Sequence, residues 1–269
     1  MILSTHGIIG SSVTVASGDA DALAFFTAAG ITDTTQKTAV NTLVTDLKTA
    51  NIWTKMKALY PFVGGSAAQH RFNLKSPGTT NADFYLDFIG GWTHSSNGVT
   101  PNGTNAYASL GSFNMNTIDP INYSLGAYIR TNASNNNYYD FGATNNVDTG
   151  WYSINPSNGS GNVNYQAGSI NIIASNANSQ GFYQASSNSA TLTTVFKNSS
   201  TLTTSVTTQA KTPFNQIFEI GRGTITTGGG YYSNRNQAAF YISTYLDNTE
   251  KTAFYTAIQA YQTTLNRQV

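Results

Sequence analysis

The chain contains no cysteine, which excludes a disulfide framework and any thiolate metal site. Charge is also scarce. Only 9% of the 269 residues are Asp, Glu, Lys or Arg, and the net charge is +1. The clustered basic surface that nucleic acid requires is therefore missing, and no nucleic-acid partner is expected. Glutamate occurs twice, at Glu219 and Glu250. No run approaches the ~20 apolar residues of a membrane span, so membrane insertion is not expected. The opening MILSTHGIIGSS lacks a basic region followed by a long apolar stretch, and does not read as a secretory signal. The expectation is a product that leaves the ribosome soluble and travels outward by some route other than Sec export.

Neutral polar residues (Asn, Thr, Ser, Gln and Gly) replace the missing charge. Aromatics reach 12%, with 16 Tyr, 14 Phe and 3 Trp, far more than a disordered chain carries. The length suits one large all-β domain with helical additions, or two small domains. A folded chain of this size buries roughly three quarters of its unfolded surface and needs no covalent staple.

The C-terminal stretch has two periods in succession. In QAAFYISTYL, Ala238, Phe240, Ile242 and Leu246 alternate with Ala239, Tyr241, Ser243 and Tyr245, as in a half-buried strand. Phe254, Ala257, Ile258, Tyr261 and Leu265 then recur at helical spacing. Asp247 with Glu250 marks the switch as a capping box. This amphipathic helix needs a sheet beneath it, built by the preceding chain.

Residues 1–18 read as a small polar arm carrying Ile2, Leu3, Ile8 and Ile9, suited to docking on a neighbour or on its own domain. Residues 19–51 read as two short helices. Asp19 or Ser17 caps the first and Gly30 closes it; Asp33 with Gln36 makes a capping box for the second, and Asn51 ends it. From 52 to 269 the reading is a β-sandwich with a C-terminal helix. Its first strands are expected over Trp53–Tyr60, HRFNLKSP and ADFYLDFIGGW, with Asn97-Gly98 at the centre of a hairpin turn. Short alternating runs follow: Ala106–Leu110, Tyr123–Arg130, Tyr138–Ala143, Gly150–Ile154, Ser169–Ala174, Gly181–Gln184, Thr191–Phe196, Gln216–Gly221 and Gln237–Tyr245. Polar runs at 131–137, 155–162 and 175–180 are expected as loops.

The chemistry available is limited. Sandwich glycosidases use paired carboxylates, commonly glutamates on one strand, and two glutamates this far apart cannot supply that motif. Asp83 and Asp87 read as surface and turn residues. His6, His70 and His94 belong to no HExxH motif and lie beside no GxSxG elbow, so they read as lone structural or exposed histidines. Asp140, Asn145, Asn146 and Asp148 are rich in oxygen but fit no calcium-loop spacing, and read as an ordinary loop. Gly221-Arg222-Gly223 and Gly228-Gly229-Gly230 read as turns. Neither a metal nor a cofactor is called for, and no catalytic residue is identified. Binding remains. Tyr138-Tyr139, Trp151-Tyr152 and Tyr231-Tyr232 flank polar loops, where rings can stack on sugars while amides bond hydroxyls. The competing reading sends half of each pair into the core by strand alternation and leaves the outer half for a sheet surface or a subunit contact.

The phrases IWTKMKALYPFVGGSAAQHRFNLKSP and GWTHSSNGVTPNGTNAYA, followed by SLGAYIRT, GFYQASSNSATLTTVFKNSS, FEIGRG and YLDNTEKTAFYTAI, resemble bacteriophage virion proteins with a laminin-G/concanavalin A-like domain. The resemblance covers about residues 30–265. It implies a mostly β, concanavalin A-like (laminin-G-like) antiparallel sandwich with N-terminal short helices and a C-terminal helix. It also implies a non-enzymatic virion protein made in the host cytoplasm and displayed as a fibre, spike or capsid decoration. Expected partners are other virion proteins, further copies of the chain (a trimer by resemblance) and host-surface glycan. The alternatives are a glycan-active enzyme of the same fold and a purely architectural decoration protein.

Overall fold

Helix α1 (Ala20–Ala29) starts at Asp19, whose side chain accepts from the Asp21 N–H, and stops at Gly30 with φ +63°. This computed structural model describes residues 18–136, 138–144, 150–208, 214–223 and 231–269. The expected arm, apart from Gly18, lies outside them, as do Asn145, Asn146, Asp148 and Gly228–Gly230. Helix α2 (Thr34–Thr49) is capped by Asp33, and Asn51 follows its end with φ +57°. The box expected there is only half formed, because the Gln36 side chain turns away to accept from the Gly64 N–H at 2.8 Å.

After a 3₁₀ turn at Trp53–Lys55 come β1 (Met56–Tyr60), a short helix α3 (Ala67–His70), β2 (Asp87–Ile89), β3 (Trp92–Ser95) and β4 (Gly98–Pro101). Next are β5 (Tyr107–Asn114), β6 (Tyr123–Ile129), β7 (Phe141–Thr144), β8 (Trp151–Asn155), β9 (Asn162–Gly168) and β10 (Ile170–Ser175). The chain continues through β11 (Gly181–Ser187), β12 (Thr193–Lys197), β13 (Ser200–Ser205), β14 (Ile217–Ile220), β15 (Arg222–Gly223) and β16 (Tyr231–Tyr232). It finishes with β17 (Gln237–Ser243) and α4 (Asn248–Thr264).

These strands make two large antiparallel sheets and a two-stranded ribbon, β15-β16. One runs β13-β12-β11-β6-β17-β4-β3, with β1 also paired to β17; the other runs β10-β9-β8-β7-β14-β5-β2. Between them Leu125, Phe141, Tyr152, Tyr165, Phe218 and Phe240 form part of the sandwich core. A second core lies on the opposite face of the first sheet. There Tyr128, Phe182, Ala239 and Tyr241 meet Leu43, Val44, Phe254 and Ile258 from the helices. Strands β6, β11 and β17 are consequently buried along their whole length. The expectation of a half-buried final strand is corrected: Phe240 and Ile242 enter the sandwich while Ala239 and Tyr241 are roofed by helix.

Helix α4 is held at its start by the expected box. Asp247 accepts from the Glu250 N–H at 2.9 Å, and Glu250 accepts from the Asp247 N–H at 3.0 Å. Glu250 also accepts from Lys55 Nζ at 2.5 Å, which ties the helix entrance to the approach to β1. One turn in, Lys251 is buried with its ammonium 4.1 Å from the centre of the Phe196 ring. Burial pushes this lysine down to about 8, against a smaller upward pull from Asp247. A base whose folded pKa lies below its unfolded value opposes folding fully at pH below about 8, and the penalty fades as pH rises towards the unfolded value near 10.5. Lys251→Met should therefore stabilise the chain at pH 7 by about 1–2 kcal/mol, the lost cation–π contact offsetting part of the gain. Melting temperatures of the two proteins should converge between pH 8 and 10.5; a constant difference would refute the assignment.

Other expectations change in detail. HRFNLKSP is not a strand: α3 ends at His70, and only an isolated bridge joins Asn73 to Ser76. The β3–β4 hairpin pairs Ser95 with Gly98, so Ser96-Asn97 forms the turn rather than Asn97-Gly98. Gly98 opens β4 with φ +112°, packed so that a Cβ would strike the Gln237 carbonyl. Gly221-Arg222-Gly223 is not simply a turn, because Arg222–Gly223 forms a ribbon with Tyr231–Tyr232. Strands β9 and β13 were not anticipated from the sequence.

Candidate functional site

Helices cover the outer face of the first sheet, whereas on the second sheet the outward Thr144, Ser153 and Glu219 are buried and the outward positions of β9 and β10 are partly or fully exposed. Along β8–β10 the second sheet's outward positions carry Trp151, Ser153, Asn164, Gln166, Asn171 and Ile173, while Tyr152, Ile154, Val163, Tyr165 and Ile172 point inward. At one end of this sheet the β15–β16 ribbon meets the segment before β7, and Tyr139 bridges to Tyr232.

Four of the six expected residues gather at that end. The Tyr139 and Tyr231 rings lie 5.3 Å apart, and Gly223 leaves room for Tyr139, whose ring atoms a Cβ there would approach to 3.1 Å. Tyr138, Tyr231 and Tyr232 are partly exposed; Tyr139 is 8% exposed. Burial pushes the Tyr139 phenol up, with a further upward push from Tyr231. The Asn234 amide donates to the Tyr138 hydroxyl at 3.1 Å.

Two arginines frame the cluster. Arg222 donates through Nε and Nη2 to the two Glu219 oxygens and through Nη1 to the Tyr232 hydroxyl at 3.2 Å, and its guanidinium sits 3.5 Å from the Tyr107 ring centre. Arg235 is fully buried. It donates to Asp140 at 2.8 Å and to the carbonyls of Ala133, Tyr138 and Ser157 at 2.8, 3.0 and 2.7 Å. It also donates to Asn155 Oδ1 at 3.1 Å. Asp140 accepts in addition from the Ser233 hydroxyl at 2.7 Å. Burial pushes the Asp140 carboxyl up, while Arg235, Ser233 and Gln237 draw it down. This network ties the Ala133 and Tyr138 backbone to Asn155 of β8 and fixes where Tyr138 and Tyr139 stand.

The other two expected residues lie elsewhere. Trp151 is partly exposed but pairs with Thr144, five residues along from Tyr139 or roughly 16 Å at strand rise. Tyr152 is corrected outright. Alternation sends it into the core at 0% exposure, with its ring against Tyr123 and Phe214 and its hydroxyl donating to the Pro120 carbonyl. It cannot stack on a ligand.

Other chemistry-bearing groups are engaged. Glu219 and Glu250 both sit in ion pairs. Asp83 caps a 3₁₀ turn by accepting from Thr80, and Asp87 is an exposed partner of Arg71. The two described histidines are not lone: His70 Nδ1 and His94 Nδ1 lie 3.0 Å apart. Burial lowers His70 to about 3, with His94 and Arg267 adding to the shift. Among the described residues no group of three or more His, Asp or Glu side chains could hold a metal, and Asp140 is committed to Arg235. No helix among them is long and apolar enough to cross a membrane. Sequence reasoning missed Tyr107, Glu219, Arg222, Asn234 and Arg235 as parts of the site. The one signal available was Arg222 between two glycines beside a strand.

No family model matches the chain, and no curated protein matches it. Solved structures do. A Trypanosoma rangeli sialidase mutant with trans-sialidase activity superposes with a TM-score of 0.55 at 11% identity, over 82% of this chain and 39% of the sialidase. A botulinum neurotoxin type C structure, described for its interaction with two ganglioside molecules, gives 0.56 at 14% identity, over 78% of this chain and 53% of that one. Domain 4 of AbnA, an extracellular arabinanase from Geobacillus stearothermophilus solved with arabinotriose, gives 0.52 at 13% identity, over 74% of this chain and 98% of the domain. The chain thus spans about two fifths to half of the sialidase and toxin chains. At these identities the likeness is one of fold, and the chain is a concanavalin A-like antiparallel β-sandwich with short N-terminal helices and a C-terminal helix laid on one sheet.

Proposed function

We propose that this protein is a non-enzymatic component of a phage particle, displayed on its surface, and that the tyrosine-lined end of its second sheet binds host glycans. The observation that carries the glycan reading is the convergence of Tyr138, Tyr139, Tyr231 and Tyr232, drawn from segments far apart in sequence, onto a frame of buried or half-buried arginines. Rings held before a ligand arrives lose little entropy on binding, and neighbouring amides serve varied hydroxyls. The structures that resemble this one in fold include a neurotoxin whose cell entry depends on interaction with two ganglioside molecules and an arabinanase domain in complex with arabinotriose. The virion setting rests on the sequence resemblance, and with it come self-association, favoured as a trimer, and contact with other virion proteins. The non-enzymatic reading is supported by the two glutamates, each engaged in an ion pair rather than facing the other across a cleft.

A site of this kind binds weakly, near millimolar or about 4 kcal/mol, and many copies on one particle raise the avidity well above that. Particles carrying Tyr138→Ala or Tyr231→Ala should adsorb to host cells at least tenfold less, with unchanged heat stability. A purely architectural protein would give normal adsorption and fragile particles, and that pair of results would refute the proposal.

A further inference from the structure

At the far end of the same sheet, away from the tyrosines, Trp151 forms part of a cleft of about 250 Å³ with Gln166, Gly168, Ser169, Ile170 and Asn171. We propose that this cleft is a second saccharide site, selective for uncharged sugars. The inference rests on reading the protein as a glycan binder but concerns a separate place on it.

Strand register supplies the argument. Trp151 on β8 pairs with Gly168 on β9, and the next outward pair along is Ser153 with Gln166, which in turn faces Asn171 on β10. With glycine opposite the indole, no side chain from β9 stands beside the ring at that level. A flat apolar surface is left partly open, the shape that the C–H face of a pyranose or furanose covers. The Ser153 hydroxyl donates to Gln166 Oε1 at 2.6 Å. That bond fixes the amide and leaves its two N–H groups to donate elsewhere. The exposed Asn171 amide, directly across, offers both a donor and an acceptor. An aromatic floor flanked by two amides matches a polyol: the ring takes the apolar face, and each amide takes a hydroxyl.

Selectivity follows from what lines the cleft. None of the described residues lining it is charged. A carboxylate or sulfate on the ligand would lose water without gaining an opposite charge, which disfavours acidic sugars. The tyrosine end differs, with Arg222 and Glu219 beside its rings. The two sites are therefore expected to select different glycans.

The test uses the full chain titrated with neutral arabino-, manno- and gluco-oligosaccharides and with their sialylated or uronic-acid counterparts. Calorimetry and saturation-transfer spectra provide the readout, since Trp151 would itself be the fluorescence reporter. Saturable binding of at least one neutral series is expected. It should be lost in Trp151→Ala and weakened about tenfold in Gln166→Ala, with unchanged melting temperature, and should persist in Tyr231→Ala. Acidic counterparts should bind at least fivefold more weakly at this site. Binding that survives Trp151→Ala, absence of binding by any neutral series up to tens of millimolar, or equal affinity for acidic sugars would each overturn the proposal. Loss of binding in Tyr231→Ala alone would instead locate all saccharide contact at the tyrosine end and leave the main functional reading standing.

Discussion

Asp140→Ala is expected to destabilise the protein by about 3–5 kcal/mol, because it strands the Arg235 guanidinium in a place water does not reach. Both partners are 0% exposed and meet at 2.8 Å. The cost has little to do with the pair's own attraction, since taking two charges out of water cancels most of that. It arises because one charge would remain without its mate. Asp140→Asn should cost nearly as much, while Asp140→Leu combined with Arg235→Met should cost less than the sum of the two single changes without restoring full stability, because the carbonyls of Ala133, Tyr138 and Ser157 also lose their donor. Urea midpoints of the single and double variants measure this directly; additive losses in the double variant would show that the charges do not act as a pair. The single variants should also impair glycan binding beyond their effect on folding, since Arg235 holds the Ala133 and Tyr138 carbonyls that position the site.

The second large effect is expected at the other buried arginine. Arg267, just beyond α4, is 1% exposed. It donates to the carbonyls of Pro61, Phe62, Ser96 and Ala238, to Gln262 Oε1 and to the Tyr261 hydroxyl, at 2.7–3.2 Å. No carboxylate among the described residues pairs with it. One planar cation thus gathers the segment after β1, the β3–β4 turn, β17 and the last helix. Arg267→Ala leaves several buried carbonyls without a donor, each worth roughly 1–3 kcal/mol if it stays dry. A net loss of about 4 kcal/mol is expected, or roughly 10 °C in melting temperature. Arg267→Lys should rescue little, because an ammonium has three donors at one point and cannot reach acceptors spread around a guanidinium. A loss under 1 kcal/mol for Arg267→Ala would mean that water replaces the side chain.

Features set by near neighbours were readable from the sequence. Asp247 and Glu250 announce the α4 cap because both partners lie within one turn. Gly30 and Asn51 end their helices in the left-handed conformation for equally local reasons. Alternation located most strands, yet β9 escaped notice although Val163, Tyr165 and Ala167 alternate cleanly. Its outward Asn162, Asn164 and Gln166 have poor strand propensity and resemble the loop before them. Strand β13, Ser200–Ser205, is mostly Ser and Thr and carries little apolar signal. The double burial of β17 was hidden because alternation shows a strand's two faces but not what covers each. The tyrosine pairs were visible as a motif, but their fates depended on register: one residue of offset puts Tyr152 in the core and Trp151 on the surface. The arginine networks were out of reach, since Arg235 and Asp140 are 95 positions apart and Arg267 and Pro61 are 206 apart. His70 and His94 read as lone for the same reason.

The central claim is that the assembled tyrosine end contacts glycan. The most direct measurement is a glycan array probed with the wild-type chain and with a Tyr138→Ala/Tyr231→Ala double variant at matched folded fraction. The account predicts a defined set of bound glycans for the wild type and loss, in the double variant, of those that a Trp151→Ala chain still binds. An unchanged pattern from a folded double variant, or no bound glycan with the wild-type chain in multivalent form, would contradict it.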